Sequence, residues 1–257
     1  MKKYTSIDLF SGVGGISLGL KMAGFEVLFA NEADSEIAAS FQKNFPDVKM
    51  IEDDIKNLDL EKISSQLSCM KGLDLIVGGP PCQGFSMANR KRIDNDRRNL
   101  LFLEFVKTVK FFQPKCFLIE NVVGMQSENI NQISGESMVI DSMRKYFDLI
   151  GYAIGFQNFK SEEHGIPQIR RRVMVIGTRI ENKKNPLLNG EIGKLEKLYY
   201  SKEELLQQNK NNYQSLLFEL DNDYLHPPTV WDAISDLPSI KAGESKNKYL
   251  LPPQNEY

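Results

Sequence analysis

The segment Tyr4–Ala23, YTSIDLFSGVGGISLGLKMA, decides the fold of this chain. Its first six residues are apolar or β-prone, SGVGG interrupts them, and apolar residues then recur at helical spacing from Ile16 onward. This order predicts a strand, a glycine turn and a helix. In such a turn, backbone N–H groups and the start of the helix can approach a bound nucleotide. An ordinary tight connection between a strand and a helix is the alternative interpretation of these glycines.

The same alternation of strand-like and helical segments continues to Thr178. Strands are predicted at 4–9, 26–31, 48–51, 73–77, 116–120, 153–159 and 172–178. Helices are predicted at 16–23, 35–44, 60–69, 99–112 and 136–150. The pattern predicts an α/β fold with a doubly wound, mostly parallel sheet covered by helices on both faces. The last two strands are expected to form an antiparallel hairpin at one edge.

The composition sets limits on what the protein can be. With 257 residues, 41% hydrophobic and 26% charged, the chain is expected to fold as a soluble domain. No apolar segment approaches the roughly 18 residues needed to cross a bilayer, so a cytoplasmic location without membrane attachment is expected. Three widely spaced cysteines and two histidines do not predict a disulfide or a metal site. The net charge of -2 means that any nucleic-acid contact must use local basic patches.

Two acidic residues follow the predicted strands after the glycine turn. Glu32 ends the second strand, where a carboxylate can accept both ribose hydroxyls of a nucleotide. Asp54 follows the third strand, where it can accept a hydrogen bond from an adenine amino group. A ligand with ribose and adenine but no pyrophosphate fits this acidic lining. The pair therefore favours S-adenosylmethionine over a nicotinamide dinucleotide, although each carboxylate alone could simply be solvated.

A reactive cysteine is predicted at the same edge of the sheet. In DLIVGGPPCQGFS a buried strand leads into a loop stiffened by Pro80 and Pro81, and Cys82 follows. Ligands and reacting groups collect at the carboxyl ends of strands in open α/β sheets. The loop resembles the cysteine loop of the cytosine carbon-5 DNA methyltransferases, and DLFSGVGGISLGL resembles their cofactor-binding opening. A cysteine packed into the core is the alternative, which the flanking prolines and glycine disfavour.

The resemblance implies a fold of the S-adenosylmethionine-dependent methyltransferase type and a reaction. Cys82 matches the thiolate that adds to carbon 6 of cytosine, after which carbon 5 can attack the methyl group of the cofactor. Glu120, in an ENV triplet, matches the glutamate that binds ring nitrogen 3 and the amino group. Arg172 matches the arginine that holds the cytosine carbonyl oxygen, and Arg170 is assigned a supporting role in the Gln-x-Arg-x-Arg motif.

Further residues are assigned by their positions in the family motifs. The cofactor, S-adenosylmethionine with S-adenosylhomocysteine as product and no metal, is expected to contact Phe10, Gly12, Gly14, Gly15, Ile16, Glu32, Asp54, Ile55, Pro80 and Leu101. Double-stranded DNA with a flipped cytosine is expected to contact Gln83, Ser86, Asn121, Val122, Gln168 and Arg98. The basic loop before the next helix supplies plausible phosphate contacts at Arg90, Lys91, Arg92 and Arg97.

The resemblance also divides the chain and leaves alternatives open. Residues 1–180 are expected to form the catalytic and cofactor-binding domain, 181–228 a polar surface excursion, and 229–257 a connector toward a target-recognition domain and final motif that are not present. Either the chain is truncated or a second subunit brings these parts. DNA cytosine methylation in a bacterial restriction–modification system, associated with the nucleoid, is the leading hypothesis. Methylation of transfer RNA and a non-catalytic subunit that needs a partner are the others.

Overall fold

A computed structural model describes residues 3–66, 72–80, 97–126 and 138–180, together with 229, 230, 233 and 237. The strands are β1 (Tyr4–Leu9), β2 (Phe25–Glu32), β3 (Lys49–Glu52), β4 (Leu75–Gly78), β5 (Cys116–Val122), β6 (Tyr152–Lys160) and β7 (Arg171–Arg179). The helices are α1 (Gly15–Met22), α2 (Ser35–Asn44), α3 (Leu60–Gln66), α4 (Arg97–Phe112) and α5 (Met138–Asp148). Short 3-10 helices occupy Ile55–Asn57, Val123–Gln126 and Ser161–His164.

The predicted fold class is confirmed by the order of the strands. The seven strands form one sheet in the order β3-β2-β1-β4-β5-β7-β6. The pairs from β3 through β5 are parallel, whereas β7 runs antiparallel to β5. The predicted ends of α3 and α5, at 67–69 and 136–137, lie outside the described residues. Each of the other predicted strands and helices is present, with bounds that differ by at most two residues.

Two hydrophobic clusters cover the sheet because the side chains of β1 alternate between its faces. Ile7 and Leu9 belong to the larger cluster, which includes buried residues of α4 and α5. The smaller cluster combines Val27, Ala30 and Val77 of the strands with Phe41 and Phe45, Leu20 and Val48. The central strands are therefore buried on both faces, as expected for a parallel sheet with helices on both sides.

The chain divides into two compact units, and each has its own internal contacts. The first consists of Met1–Asn158 and Arg172–Gly193, and the second of Phe159–Arg171 and Lys194–Tyr257. Within the second unit, Ser161 N–H donates to Arg170 O at 2.9 Å, and Lys160 Nζ lies 2.6 Å from Glu163 Oε1. The division of the chain into domains at residues 180 and 228 stays a prediction.

Helix α4 is followed by a position whose backbone conformation suits glycine better than the glutamine that occupies it. Gln113 has φ 51°, and its N–H donates to Val109 O at 2.9 Å. This is the left-handed end of a helix, where a side chain costs free energy that glycine avoids. We expect Gln113→Gly to raise the free energy of unfolding by about 0.5–1 kcal/mol, measured by urea denaturation. Gln113→Ala is the matched control, because it also removes the side chain but keeps the strain. Equal stability of the two variants would contradict the prediction.

Candidate active site

The register of the sheet brings the carboxyl ends of five strands to one edge. Leu9 at the end of β1 is paired with Asn31 of β2 and with Gly78 of β4. Gly78 is paired in turn with Ile119 of β5, and Glu32 with Glu52 of β3. Residues that follow these strands therefore share one edge, which is where ligands bind in open α/β sheets.

The glycine turn begins with an unusual backbone conformation. Phe10, the first residue after β1, has φ 57°, which side chains other than glycine rarely adopt. Gly12 also has positive φ, and Gly14, the N-cap of α1, has φ 102°. A Cβ on Gly14 would lie 2.1 Å from the ring of Phe45, so the close packing of α2 requires glycine there. The turn thus has a structural requirement for Gly14, whereas no described residue lies within 4 Å of a Cβ placed on Gly12 or Gly15.

The carboxylate of Glu32 is held by backbone N–H groups on both sides. Gly12 N–H donates to Glu32 Oε2 at 3.0 Å, which joins the end of β2 to the glycine turn. Ala33 and Asp34 N–H donate to Oε1 at 2.9 and 3.1 Å. These bonds fix the orientation of a half-buried carboxylate, and Oε2, which accepts one of them, retains acceptor capacity for a ligand hydroxyl.

Asp54 and Ile55 begin the 3-10 helix after β3. Asp54 caps it, accepting from Lys56 N–H at 3.0 Å through Oδ1, and Lys56 Nζ lies 3.5 Å from Oδ2. The Asp54 side chain remains 43% exposed, so it can meet a ligand. The side chain of Ile55 is instead buried in the larger hydrophobic cluster.

Asp8 forms a buried carboxyl–hydroxyl pair beneath the glycine turn. Ser17 Oγ of α1 donates to Asp8 Oδ2 at 2.6 Å, and both residues are 0% exposed. The residues paired with Asp8 in the sheet, Ala30 and Val77, are buried and apolar. This burial raises the pKa of Asp8 to about 7, although the hydrogen bonds from Ser17 lower it, and the nearby Glu32 carboxylate raises it further.

The raised pKa of Asp8 predicts a pH-dependent stability. Its contribution is fully present below its ordinary pKa of 3.8 and is lost as the pH rises through about 7. We therefore expect Asp8→Asn to gain stability relative to the unmodified chain as the pH rises from about 4 to about 7, measured as free energies of unfolding in urea. Ser17→Ala removes the hydrogen bond that lowers the pKa, so it should move the transition to higher pH. A difference between Asp8→Asn and the unmodified chain that does not change with pH would refute this.

The entrance to the cysteine loop is anchored by β5. Asn121 Nδ2 donates to Pro80 O at 2.9 Å in a buried contact, and Asn121 Oδ1 accepts from Val122 N–H at 2.9 Å. Pro80 lies two residues before Cys82 and is itself buried. Cys82, Gln83 and Ser86 lie outside the described residues. The structure therefore fixes where the loop leaves the sheet.

The carboxylate of Glu120 lies between an arginine and the start of that loop. Arg172 Nε donates to Glu120 Oε1 at 2.7 Å, and both side chains are about three-quarters buried, with 23% and 26% exposure. A Cβ placed on Gly79 would lie 3.5 Å from Glu120 Oε2. Gly79 directly follows β4 and lies three residues before Cys82. The antiparallel register of β5 and β7 pairs Val122 with Arg172 and so brings this arginine to the shared edge.

The remaining predicted site residues have different environments. Phe10 and Leu101 are partly buried against the larger hydrophobic cluster, and Ile16 against the smaller one. Val122 is 50% exposed. Arg98 belongs to α4, but its side chain lies outside the described residues. Gln168 and Arg170 are exposed in the second compact unit. The roles assigned to all of these residues stay predictions.

The described residues at the edge fit a nucleoside ligand without phosphates. Their polar side chains are mainly carboxylates, Glu32 and Asp54, which accept hydrogen bonds from hydroxyl and amino groups. The open space beside Gly12 and Gly15 leaves room for a ligand against the turn. Ser11 Oγ, 7% exposed, has no hydrogen-bond partner among the described residues. Such a set suits the ribose, adenine and positively charged groups of S-adenosylmethionine.

Neither a metal-binding cluster nor a membrane-spanning helix is present among the described residues. In the described ranges there is no group of three or more His, Cys, Asp or Glu side chains arranged to hold a metal ion. None of the helices in the part of the chain that the structure describes is long and apolar enough to span a bilayer.

The strand order and the glycine turn define the fold class of the S-adenosylmethionine-dependent methyltransferases. A similar fold occurs in the crystal structure of a DNA modification methyltransferase encoded within a prophage of Escherichia coli, with a TM-score of 0.61 and 30% identity over 93% of this chain and 56% of that chain. The Dnmt2 structure from Spodoptera frugiperda, 23% identical with a TM-score of 0.55 over 70% of this chain and 51% of that chain, shares the fold.

The chain belongs to the C-5 cytosine-specific DNA methylase family, whose model matches residues 4–250. It is 36% identical to the Type II methyltransferase M.AgeI of Thalassovita gelatinovora over 98% of this chain and 56% of that protein. It is 35% identical to M.DdeI of Desulfomicrobium norvegicum over 98% of this chain and 53% of that protein. The chain thus spans about half the length of these curated relatives. The resemblance predicted from the cysteine loop is confirmed at the level of the family.

A further relative is of similar length to this chain. The Type II methyltransferase M.AquIA of a Picosynechococcus strain is 35% identical over 182 residues, which are 68% of this chain and 71% of that protein. Because the aligned residues make up nearly the same fraction of each protein, the two proteins have nearly the same length.

The structure also reveals polar residues that the sequence interpretation did not single out. Asn31, 2% exposed, donates to two backbone carbonyls, and Asp8 pairs with Ser17. A signal was available in both cases, because Asp8 stands between Ile7 and Leu9, and Asn31 directly follows four apolar residues at 27–30. A buried polar group needs a partner, but the sequence does not name that partner.

Proposed function

We propose that this chain is the catalytic part of an enzyme that transfers a methyl group from S-adenosylmethionine to carbon 5 of cytosine in double-stranded DNA. The observation that carries the proposal is the position of the Glu120 carboxylate, bound by Arg172 and adjacent to Gly79 at the start of the cysteine loop. An acid group beside a nucleophile loop is what attack on cytosine requires. Membership of the C-5 cytosine-specific DNA methylase family supports the substrate and the position of methylation.

In the proposed reaction, Cys82 loses its thiol proton and its sulfur forms a bond to carbon 6 of the cytosine. Glu120 hydrogen-bonds ring nitrogen 3 and the amino group, which stabilises the electron density that the addition pushes into the ring. Carbon 5 then accepts the methyl group that the bound cofactor supplies. Water then takes the proton from carbon 5, the electron pair of that C–H bond re-forms the double bond between carbons 5 and 6, and the Cys82 sulfur leaves carbon 6 as a thiolate. Arg172 orients Glu120 through its Nε contact and can hold the cytosine carbonyl oxygen.

We propose that the cofactor is held along the edge from β3 to β4. Glu32 would accept the ribose hydroxyls, Asp54 the adenine amino group, and the N–H groups of the glycine turn the carboxylate of the methionine part. Further contacts, through side chain or backbone, are assigned to residues that adjoin the glycine turn, the loop after β3 and the cysteine loop. These residues are Phe10, Ile16, Ile55, Pro80 and Leu101. The fixed orientation of Glu32 supports this arrangement.

The DNA contacts follow from the need to reach a base inside a duplex. Taking the cytosine out of the stack exposes its ring to Cys82 and Glu120. Contacts to the base and backbone are assigned to Gln83, Ser86, Arg98, Asn121, Val122 and Gln168, whereas Arg170 is assigned the supporting role beside Arg172. Because the net charge is -2, binding should depend on the local basic loop and should weaken as salt is added. A role in bacterial restriction–modification, in the cytoplasm near the nucleoid, is consistent with the Type II relatives.

We also propose that residues beyond these 257 complete the enzyme, either on the same polypeptide or in a second subunit. M.AquIA shows that polypeptides of about this length occur among the Type II methyltransferases. The test is to measure transfer of the labelled methyl group by the chain alone and together with the product of the reading frame downstream. Transfer that needs the second product would support a subunit, and full site-specific transfer by the chain alone would exclude it.

The substrate is tested by offering DNA and transfer RNA separately. Labelled methyl groups from S-adenosylmethionine should appear in DNA as 5-methylcytosine, identified after digestion to nucleosides. Transfer to RNA alone would replace the DNA proposal by the transfer RNA alternative. Methylation of the exocyclic amino group of cytosine would overturn the proposed mechanism, because that reaction does not need Cys82.

A further inference from the structure

We propose that Asn31 is a positioning residue that holds the two cofactor-contacting segments, the glycine turn and the loop after β3, in one fixed arrangement. The inference rests on the proposed function, because the two segments are those assigned to the cofactor. Asn31 is the next-to-last residue of β2 and directly precedes Glu32. Among the described residues its side-chain amide donates to backbone carbonyls alone, so it acts through the segments that it holds.

The side-chain amide of Asn31 binds the end of β3 and the loop that follows it. Nδ2 donates to Ile51 O at 2.9 Å and to Asp53 O at 2.8 Å, so both of its hydrogens are used. Asp53 directly precedes Asp54, the residue assigned to adenine. The sheet ladder continues beside this contact, because Asp53 N–H donates to Glu32 O at 3.2 Å. Asp53 is therefore held through its carbonyl by a side chain of β2 and through its amide by the backbone of β2.

The same two residues of β2 bind the glycine turn on their other side. Ser11 N–H donates to Asn31 O at 3.0 Å, and Gly12 N–H donates to Glu32 Oε2 at 3.0 Å. Asn31 and Glu32 thus connect the turn after β1 with the loop after β3. At the ligand-binding edge, side chains of β2 thus add to the ladder bonds that join β1, β2 and β3.

Asparagine has the donor geometry that this position requires. Asn31 is 2% exposed, so its two amide hydrogens need partners inside the protein, and the carbonyls of Ile51 and Asp53 supply them. An aspartate of the same size would direct an oxygen at two carbonyl oxygens, and a serine would provide a single donor. Loss of the amide should therefore free the carbonyls of the loop while leaving the strand pairing of β1 with β2 intact.

The contacts predict a local change that a general loss of stability would not produce. In the 257-residue chain, amide hydrogen exchange measured by NMR should become about tenfold faster at Asp53 and Asn57 in Asn31→Ala, whereas amides of β1 should be unchanged. Asn31→Ser should cause a smaller change in the same direction. Asn57→Ala is the matched control, since Asn57 Nδ2 donates to Asp53 Oδ1 at 2.8 Å within the same loop but does not reach β2. Unchanged exchange in Asn31→Ala and Asn31→Ser would overturn the inference.

The purpose of the arrangement is tested with S-adenosylhomocysteine as the probe, using calorimetry well below the melting temperature. We expect Asn31→Ala to bind it about tenfold more weakly and Asn57→Ala to bind it within about twofold of the unmodified chain. Equal affinity of Asn31→Ala would overturn the positioning role even if exchange became faster. Failure of the unmodified chain to bind the probe would instead count against the proposed cofactor site, and the exchange rates would still decide whether Asn31 holds the loop.

Discussion

Replacing Cys82 by serine is expected to abolish the covalent adduct with DNA that contains 5-fluorocytosine, and to lower methyl transfer by at least about a thousandfold. Fluorine at carbon 5 cannot leave as a proton does, so the bond between the Cys82 sulfur and carbon 6 persists after methylation. A serine hydroxyl is a much poorer nucleophile at neutral pH because it is hardly ionised. The adduct is measured by denaturing gel electrophoresis, with the completed enzyme if a second product is needed.

Cys116→Ser is the matched control for this experiment. Cys116 begins β5 and is half-buried, and desolvation raises the pKa of its thiol, with Asp74 adding to the increase and Lys115 opposing it. A thiol with a raised pKa contains little thiolate and is a poor nucleophile. The control should therefore form the adduct normally. An adduct that survives in Cys82→Ser would remove the assigned nucleophile.

Glu120→Gln is expected to lower kcat by about 10²–10⁴-fold with little change in the melting temperature. Glutamine has nearly the same shape and can still accept from Arg172 Nε, which now donates to Glu120 Oε1 at 2.7 Å. It can neither protonate ring nitrogen 3 nor accept from the cytosine amino group with a full negative charge. The strand pairing around it does not depend on this side chain, because β5 and β7 are joined by backbone bonds. Single-turnover methyl transfer and thermal unfolding would be measured together.

An acid–base pair at the opposite edge serves as the control for Glu120. Asp47, just before β3, lies 2.7 Å from Lys21 Nζ and is exposed, with its pKa lowered by the hydrogen bond from Lys21. Asp47→Asn should leave methyl transfer unchanged. If Glu120→Gln retains the rate of the unmodified enzyme, the proposed support of ring nitrogen 3 is wrong.

The fold could be predicted from the sequence because its signals are local. Alternating apolar segments set the strands and helices, and SGVGG marks the turn after β1 without reference to the rest of the chain. The positions of Glu32, Asp54 and Glu120 at strand ends follow from the parallel sheet, since all carboxyl ends meet at one edge. Family motifs assigned roles that local patterns alone leave open.

The contacts between distant residues could not be predicted in this way. Arg172 and Glu120 are 52 residues apart, and only the register of β5 with β7 brings them together. The bonds from Asn31 to the loop after β3 depend on the pairing of β2 with β3. The left-handed backbone of Phe10 is not visible in the sequence either, because a bulky residue gives no sign of positive φ.

The antiparallel direction of β7 has a consequence for how related chains can vary in length. The register of β7 against β5 determines which residue contacts Glu120. Residues can therefore be inserted or lost before Arg171 without moving the guanidinium of Arg172. A single insertion between Arg172 and Met174 would instead turn Arg172 to the other face of the sheet. Length variation should therefore accumulate before Gln168, where the arginine motif begins, and an engineer who grafts a new segment there should keep its junction outside the motif and the paired residues.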